Sequence, residues 1–108
     1  MPKIYKVLGQ SSPSATTNTD VYTVGSGKSA VVSTITVANR GAAGSFRIAV
    51  RTSGATLANQ HYIAYDISIA SNDTIALTLG ITLATTDVVT VYASSANFSF
   101  NLFGSEIS

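Results

Sequence analysis

A chain of 108 residues holds one domain and one core, and 45% of it is hydrophobic while only 10% is charged, far below the usual charged share of about 25%. The formal net charge of +1 gives no electrostatic case for nucleic acid or an anionic membrane, and little protection against self-association. The absence of cysteine excludes a disulfide framework and thiolate chemistry, and no apolar run approaches the ~20 residues of a membrane-spanning helix.

The opening "MPKIYKVLGQ" carries a first short strand at Ile4 to Leu8. Its apolar stretch is too short for a signal-peptide core, which predicts a soluble, uncleaved protein made in the cytoplasm. The Ser/Thr-rich "GQSSPSATTNT" follows, so residues 1–19 read as an N-terminal arm with its connector and residues 20–108 as the β-domain. The arm has two available partners, its own sheet or a neighbouring subunit.

Strands at Val21 to Val24, Val31 to Ala38 and Ser45 to Arg51 come next, rich in Val, Ile, Thr and Phe. The last two flank a loop that opens with Asn39-Arg40-Gly41 and read as a hairpin, with Asn39 and Gly41 in left-handed turn positions. Val31, Ile35, Val37, Phe46, Ile48 and Val50 then form one core wall, while Arg47, Ala49 and Arg51 point the other way. Thr56 to Gln60 shows the weakest pattern, a helical turn or a loop.

Period-2 alternation is cleanest in the two runs that follow. In "HYIAYDISIA" Ile63, Tyr65, Ile67 and Ile69 alternate with Tyr62, Ala64, Asp66 and Ser68. In "DTIALTLGITLA" Ile75, Leu77, Leu79, Ile81 and Leu83 alternate with smaller residues. Each run predicts a strand with its large odd-numbered residues buried. Val88 to Ala93 and Phe98 to Phe103 complete the set. Turn signals separate all of these strands, and no segment has a convincing helical period. The prediction is an all-β chain: a single small β-sandwich or jelly-roll-like barrel of about eight antiparallel strands with an N-terminal arm.

The polar residues give little for a reaction to use. Asp20, Asp73 and Asp87 each precede a strand, where Asp closes turns by accepting backbone N–H groups. His61 is the sole histidine and has no nucleophile or carboxylate in a recognised motif nearby, so it reads as an edge or interface residue. "GSGK" at Gly25 to Lys28 lacks the full phosphate-loop spacing and runs into a strand instead of a helix, so it reads as a hairpin turn with a lysine at its tip. Asp66, in mid-strand, reads as a partner for Arg47 or Arg51 across a sheet or subunit boundary.

The segments "YTVGSGKSAVVSTITVANRG", "FRIAVRTSGATLANQHYIAYD" and "DTIALTLGITLATTDVVTVYASSANFSFNLFGSEIS" resemble a family of short virion structural proteins of tailed bacteriophages, including phages of cyanobacteria. The shared features are a Tyr-Thr-Val turn, a Ser-Thr-Ile-Thr-Val strand followed by Asn-Arg-Gly, and an Arg-x-Ala-Val-Arg strand. An Asp-x-Val-x-Val-Tyr-Ala strand and an Asn-Leu-Phe-Gly-Ser-Glu-Ile ending complete the likeness, which runs from about Tyr22 to Ser108.

The resemblance implies a non-enzymatic phage protein that is carried on the virion after synthesis in the host cytoplasm. A capsid decoration or cement protein leads, with a neck, baseplate or fibre-attachment protein as the alternative. Its partners would be other copies of itself, as a trimer or another homo-oligomer, and the major capsid protein or neck and tail proteins. No nucleic acid, membrane, metal or cofactor is expected. The resemblance carries over no contact residue; the residues themselves mark Arg47, Arg51, Asp66, Tyr62 and Tyr92 as the expected subunit contacts. A carbohydrate- or receptor-binding module is the reading from a different class, resting on Tyr62, Tyr92 and His61.

Overall fold

The computed structural model describes residues 3–108, and eight strands account for most of them: β1 (Lys3–Ser11), β2 (Thr19–Thr23), β3 (Ser29–Asn39), β4 (Gly44–Arg51), β5 (Tyr62–Ile69), β6 (Thr74–Leu83), β7 (Val88–Ala93) and β8 (Phe98–Ile107). No α-helix forms among the described residues, and short 3₁₀ turns at Thr52–Gly54 and Asn59–His61 interrupt the segment between β4 and β5. The first sheet has the order β1-β8-β3-β6 and the second β2-β7-β4-β5. All neighbours are antiparallel. This is the eight-stranded jelly roll, one of the two architectures expected from the strand count.

The core lies between the sheets and is built by the alternation of β3, β4, β7 and β8. Val32, Ile35 and Val37 of β3 and Phe98, Phe100 and Leu102 of β8 are fully buried on one side. Phe46 and Ile48 of β4 and Val89, Val91 and Ala93 of β7 are fully buried on the other. Phe46 and Phe100 meet edge to face across the gap, with centroids 6.1 Å apart.

Only β4 and β5 are both consecutive in sequence and paired; every other connection passes from one sheet to the other. That corrects the expected hairpin. β3 and β4 belong to opposite sheets, because their apolar faces meet across the core instead of lying side by side. Neither Asn39 nor Gly41 has a positive φ. Asn39 ends β3 buried, its amide donating to the carbonyls of Ala42 and Ala70 while its oxygen accepts the Gly41 N–H. The Gly25–Lys28 turn likewise links β2 in one sheet to β3 in the other and is not a hairpin turn.

Bulges explain where the burial pattern departs from simple alternation. In β3 the register against β8 shifts between Val32 and Thr34, so the buried set is Ala30 and Val32, then Ile35 and Val37. Val31 is therefore only half-buried. In β5 Asp66 takes φ 51° and the pairing with β4 shifts between Phe46 and Ile48, then again between Ile48 and Ala49. An extra residue reverses the side on which each following residue points. Ala64 and Ile69 are buried, whereas Ile63, Tyr65 and Ile67 are exposed, which overturns the expected odd-numbered core face of this strand at every position but Ile69. β6 keeps that face in part: Leu83 is buried and Ile75, Leu77 and Ile81 pack on the core, but Leu79 beside Gly80 is half exposed.

Residues 3–11, placed in the arm by the sequence, are the outer strand of the first sheet. Of the two available partners, β1 takes its own sheet and runs along β8 from Lys3 opposite Ile107 to Ser11 opposite Phe100. The connector is held as well. Pro13 is buried, the Thr16 N–H donates to the Ala93 carbonyl, and Arg40 donates to the Ser12 hydroxyl.

Candidate functional site

The outer face of the second sheet gathers the polar and aromatic residues that the core does not use. Arg47 sits in the middle of β4, flanked by β7 and β5, so its side chain rises between groups from both. Its Nε donates to Asp66 Oδ1 at 2.6 Å and its Nη2 to Oδ2 at 3.4 Å. The guanidinium carbon lies 4.3 Å from the ring centroids of both Tyr65 and Tyr92, a cation held between two π faces. The Asp66 hydrogen bond comes first among the influences that raise the Arg47 pKa, so the arginine is a permanent cation.

Tyr62 packs edge to face on Tyr65 with centroids 4.9 Å apart. Tyr62, Tyr65 and Asn59 line a cleft of about 370 Å³ beside the arginine. Tyr65 is 54% exposed. His61, next to this cleft in sequence, serves the backbone: its Nδ1 accepts the Ala58 N–H at 3.0 Å, so in the neutral ring Nε2 carries the proton.

Four of the five residues expected at a subunit contact thus come together: Arg47, Asp66, Tyr62 and Tyr92. Arg51 does not join them. Its Nη2 donates to Asp20 at 2.9 Å, its Nε to the Thr90 hydroxyl, and its Nη1 to the carbonyls of Gly54 and Ala55. It ties β2, β7 and the segment after β4 into one unit. Asp20 is accordingly a salt-bridge partner inside β2 and not a turn residue. Asp73 and Asp87 do close turns, Asp73 accepting the Thr74 N–H and Asp87 those of Ala84 and Ser53.

Tyr65 and Asn59 were not expected at the site. The alternation placed Tyr65 in the core, and the only signal against that was Asp66 itself, since Asp is one of the few residues that adopts a left-handed conformation readily.

A second polar cluster closes the sandwich at its β1–β2 edge. Glu106 of β8 accepts the Tyr22 hydroxyl at 2.6 Å and Lys6 Nζ at 3.2 Å, with Lys28 Nζ 3.9 Å away. The Tyr22 hydrogen bond, ahead of the two lysines, holds the Glu106 carboxyl below its ordinary range. Burial, followed by the same carboxylate, pushes the Tyr22 phenol up. Among the described residues, no group of three or more His, Cys, Asp or Glu side chains is placed to hold a metal ion.

The outer face of the first sheet is of a different kind. Lys6 reaches inward to Glu106, so Tyr5 and Val7, each one residue away, point outward. Val7 stands opposite Phe103 of β8. Tyr5 is 78%, Val7 45% and Phe103 37% exposed. No protein-family model, curated protein or solved structure matches the chain.

Proposed function

We propose that the chain is a non-enzymatic structural subunit of a tailed-phage virion, and within that class a decoration or cement protein that binds the assembled head as a homo-oligomer. The observation that carries this reading is the outer face of the first sheet, where Tyr5, Val7 and Phe103 stand together exposed on β1 and β8. A neighbouring apolar group on a sheet face with so few charges is the material of protein contact. The net charge of +1 lets copies approach without repulsion.

The resemblance to short phage virion proteins supplies the setting. The jelly roll agrees with it by analogy of fold, since viral coat domains use the same architecture. A ligand of the assembled lattice that ignores free subunits stabilises the lattice by mass action, which is the work of a cement protein. The chain's polar groups support a non-catalytic role. Asp66 is spent on Arg47, Asp20 on Arg51, and Glu106 on Tyr22 and Lys6.

The test joins sedimentation equilibrium to electron microscopy of capsids incubated with the protein. The expected result is an oligomer at micromolar concentration that coats heads in many regularly spaced copies. Val7→Glu, at an exposed position, weakens both behaviours while leaving the fold intact. A monomer that leaves capsids bare overturns the reading, and density only at the neck or tail moves the protein to that part of the particle.

A further inference from the structure

We infer that the cleft between Tyr62 and Tyr65 is a binding site for a neutral pyranose sugar. The inference stands on the second sheet alone and does not rest on the virion reading. It changes the residue set that the sequence suggested for sugar stacking. Arg47 stacks on both Tyr65 and Tyr92, but only Tyr65 joins Tyr62 in lining the cleft, and Tyr92 lies outside it.

Three properties of the cleft select the ligand. Its volume of about 370 Å³ lies in the range of small-molecule sites, which start near 300 Å³. Its lining residues are Tyr62, Tyr65 and Asn59, residue types that offer aromatic surface for the C–H face of a sugar ring and polar groups for its hydroxyls. Finally, the cation beside it is already neutralised. Arg47 and Asp66 form an ion pair through Nε and Nη2, which leaves no net charge to draw a carboxylate or phosphate.

The pair nevertheless keeps hydrogen-bonding capacity. Among the described residues Arg47 Nη1 donates to no acceptor, and Asp66, with its side chain 47% exposed, retains lone pairs on both oxygens. Arg47 and Asp66 do not line the cleft, but Arg47 packs on its Tyr65 wall, so the pair stands at the rim, where a free donor and free acceptors can meet sugar hydroxyls, each of which donates and accepts.

The test is an NMR titration of the isotope-labelled full chain with methyl β-glucopyranoside, methyl β-galactopyranoside and methyl α-mannopyranoside, and with methyl β-glucuronide as the charged counterpart. The expected result is saturable millimolar binding of at least one neutral glycoside, with shifts at Asn59, Tyr62 and Tyr65 and none at Tyr5 on the opposite face. Tyr62→Ala abolishes the shifts.

Asp66→Asn is the second variant, because Asn tolerates the left-handed backbone at this position. It keeps the shape of the bulge while removing the charge. Binding of the neutral glycoside then weakens about tenfold, as expected for loss of a charged hydrogen-bond partner, and the glucuronide begins to bind the freed arginine. No saturable shift with any neutral glycoside overturns the inference. So does a response at Tyr5 equal to that at Tyr65, or a preference of the unaltered chain for the glucuronide.

Discussion

The carboxylate of Glu106 touches groups from three other parts of the chain: Lys6 on β1, Tyr22 on β2 and Lys28 in the turn before β3. Through Tyr22 it joins the two sheets, and its side chain is only 12% exposed, so these contacts are less screened than a surface ion pair. Glu106→Gln keeps the size of the side chain and removes the charge; it costs about 1.5–3 kcal/mol, the range for a hydrogen bond to a charged group. Tyr22→Phe costs about 1 kcal/mol, and the double variant falls short of the sum because both changes remove one contact. The pH dependence follows from the depressed pKa. Stability from Glu106 is fully present above the unfolded carboxyl value near ~4.3 and is lost as pH falls through the lower folded value. The wild type therefore loses this increment on acidification, read as a fall of the urea midpoint by circular dichroism below that range, while Glu106→Gln, less stable at neutral pH, shows a flatter curve there and converges on the wild type at low pH.

At the level of the strands, bulges decide what the sequence shows and what it hides. The alternation of β4 can be read directly, because Phe46 and Ile48 are buried and Arg47 is not, and no bulge lies within its pairing with β7. β5 has equally clean alternation, yet the extra residue at Asp66 puts Ala64 before it and Ile69 after it on the same buried side, so no single odd-numbered face exists and Tyr65 is left outside. Periodicity reports which residues could share a face only while the backbone stays regular. The Arg47–Asp66 pair was legible for a different reason: with charges so scarce, two opposite ones on neighbouring strands have few other partners. The pairing of β3 was not legible, since a short loop after a strand looks the same whether the next strand pairs with it or crosses to the opposite sheet. Two glycines separate the causes of strand irregularity. Gly80 has φ 68° with open space around it, so Gly80→Ala meets only the backbone penalty of about 1 kcal/mol. Gly104 has an ordinary φ, but a Cβ there would run into the carbonyl oxygen of Val31. Gly104→Ala must push β3 and β8 apart, and it lowers the urea midpoint further than Gly80→Ala does.

For the whole molecule the two outer faces differ in chemistry: Tyr5, Val7 and Phe103 cover part of one, while the Arg47 cluster and its cleft occupy the other. A thin sandwich, 19 Å across its shortest axis, can thus be held by one face and present the second. β1 is what makes the first face complete, and it also tests whether residues 1–19 form a unit apart from the sandwich. It supplies Leu8 to the core and Lys6 to Glu106. It also satisfies the backbone groups along one side of β8. Deleting residues 1–11 removes all three, leaving a cavity where Leu8 stood, and a buried Leu→Ala change alone costs about 2–5 kcal/mol. At about 4–8 °C per kcal/mol for a domain near this size, the melting temperature falls by more than about 10 °C. The unpaired edge of β8 then offers a template for a second chain, so the shortened protein also aggregates at concentrations where the full chain does not. Differential scanning calorimetry with light scattering reads both effects. A deletion that melts where the full chain does would mean that β1 only lies against the sandwich, and that residues 20–108 hold the fold without it.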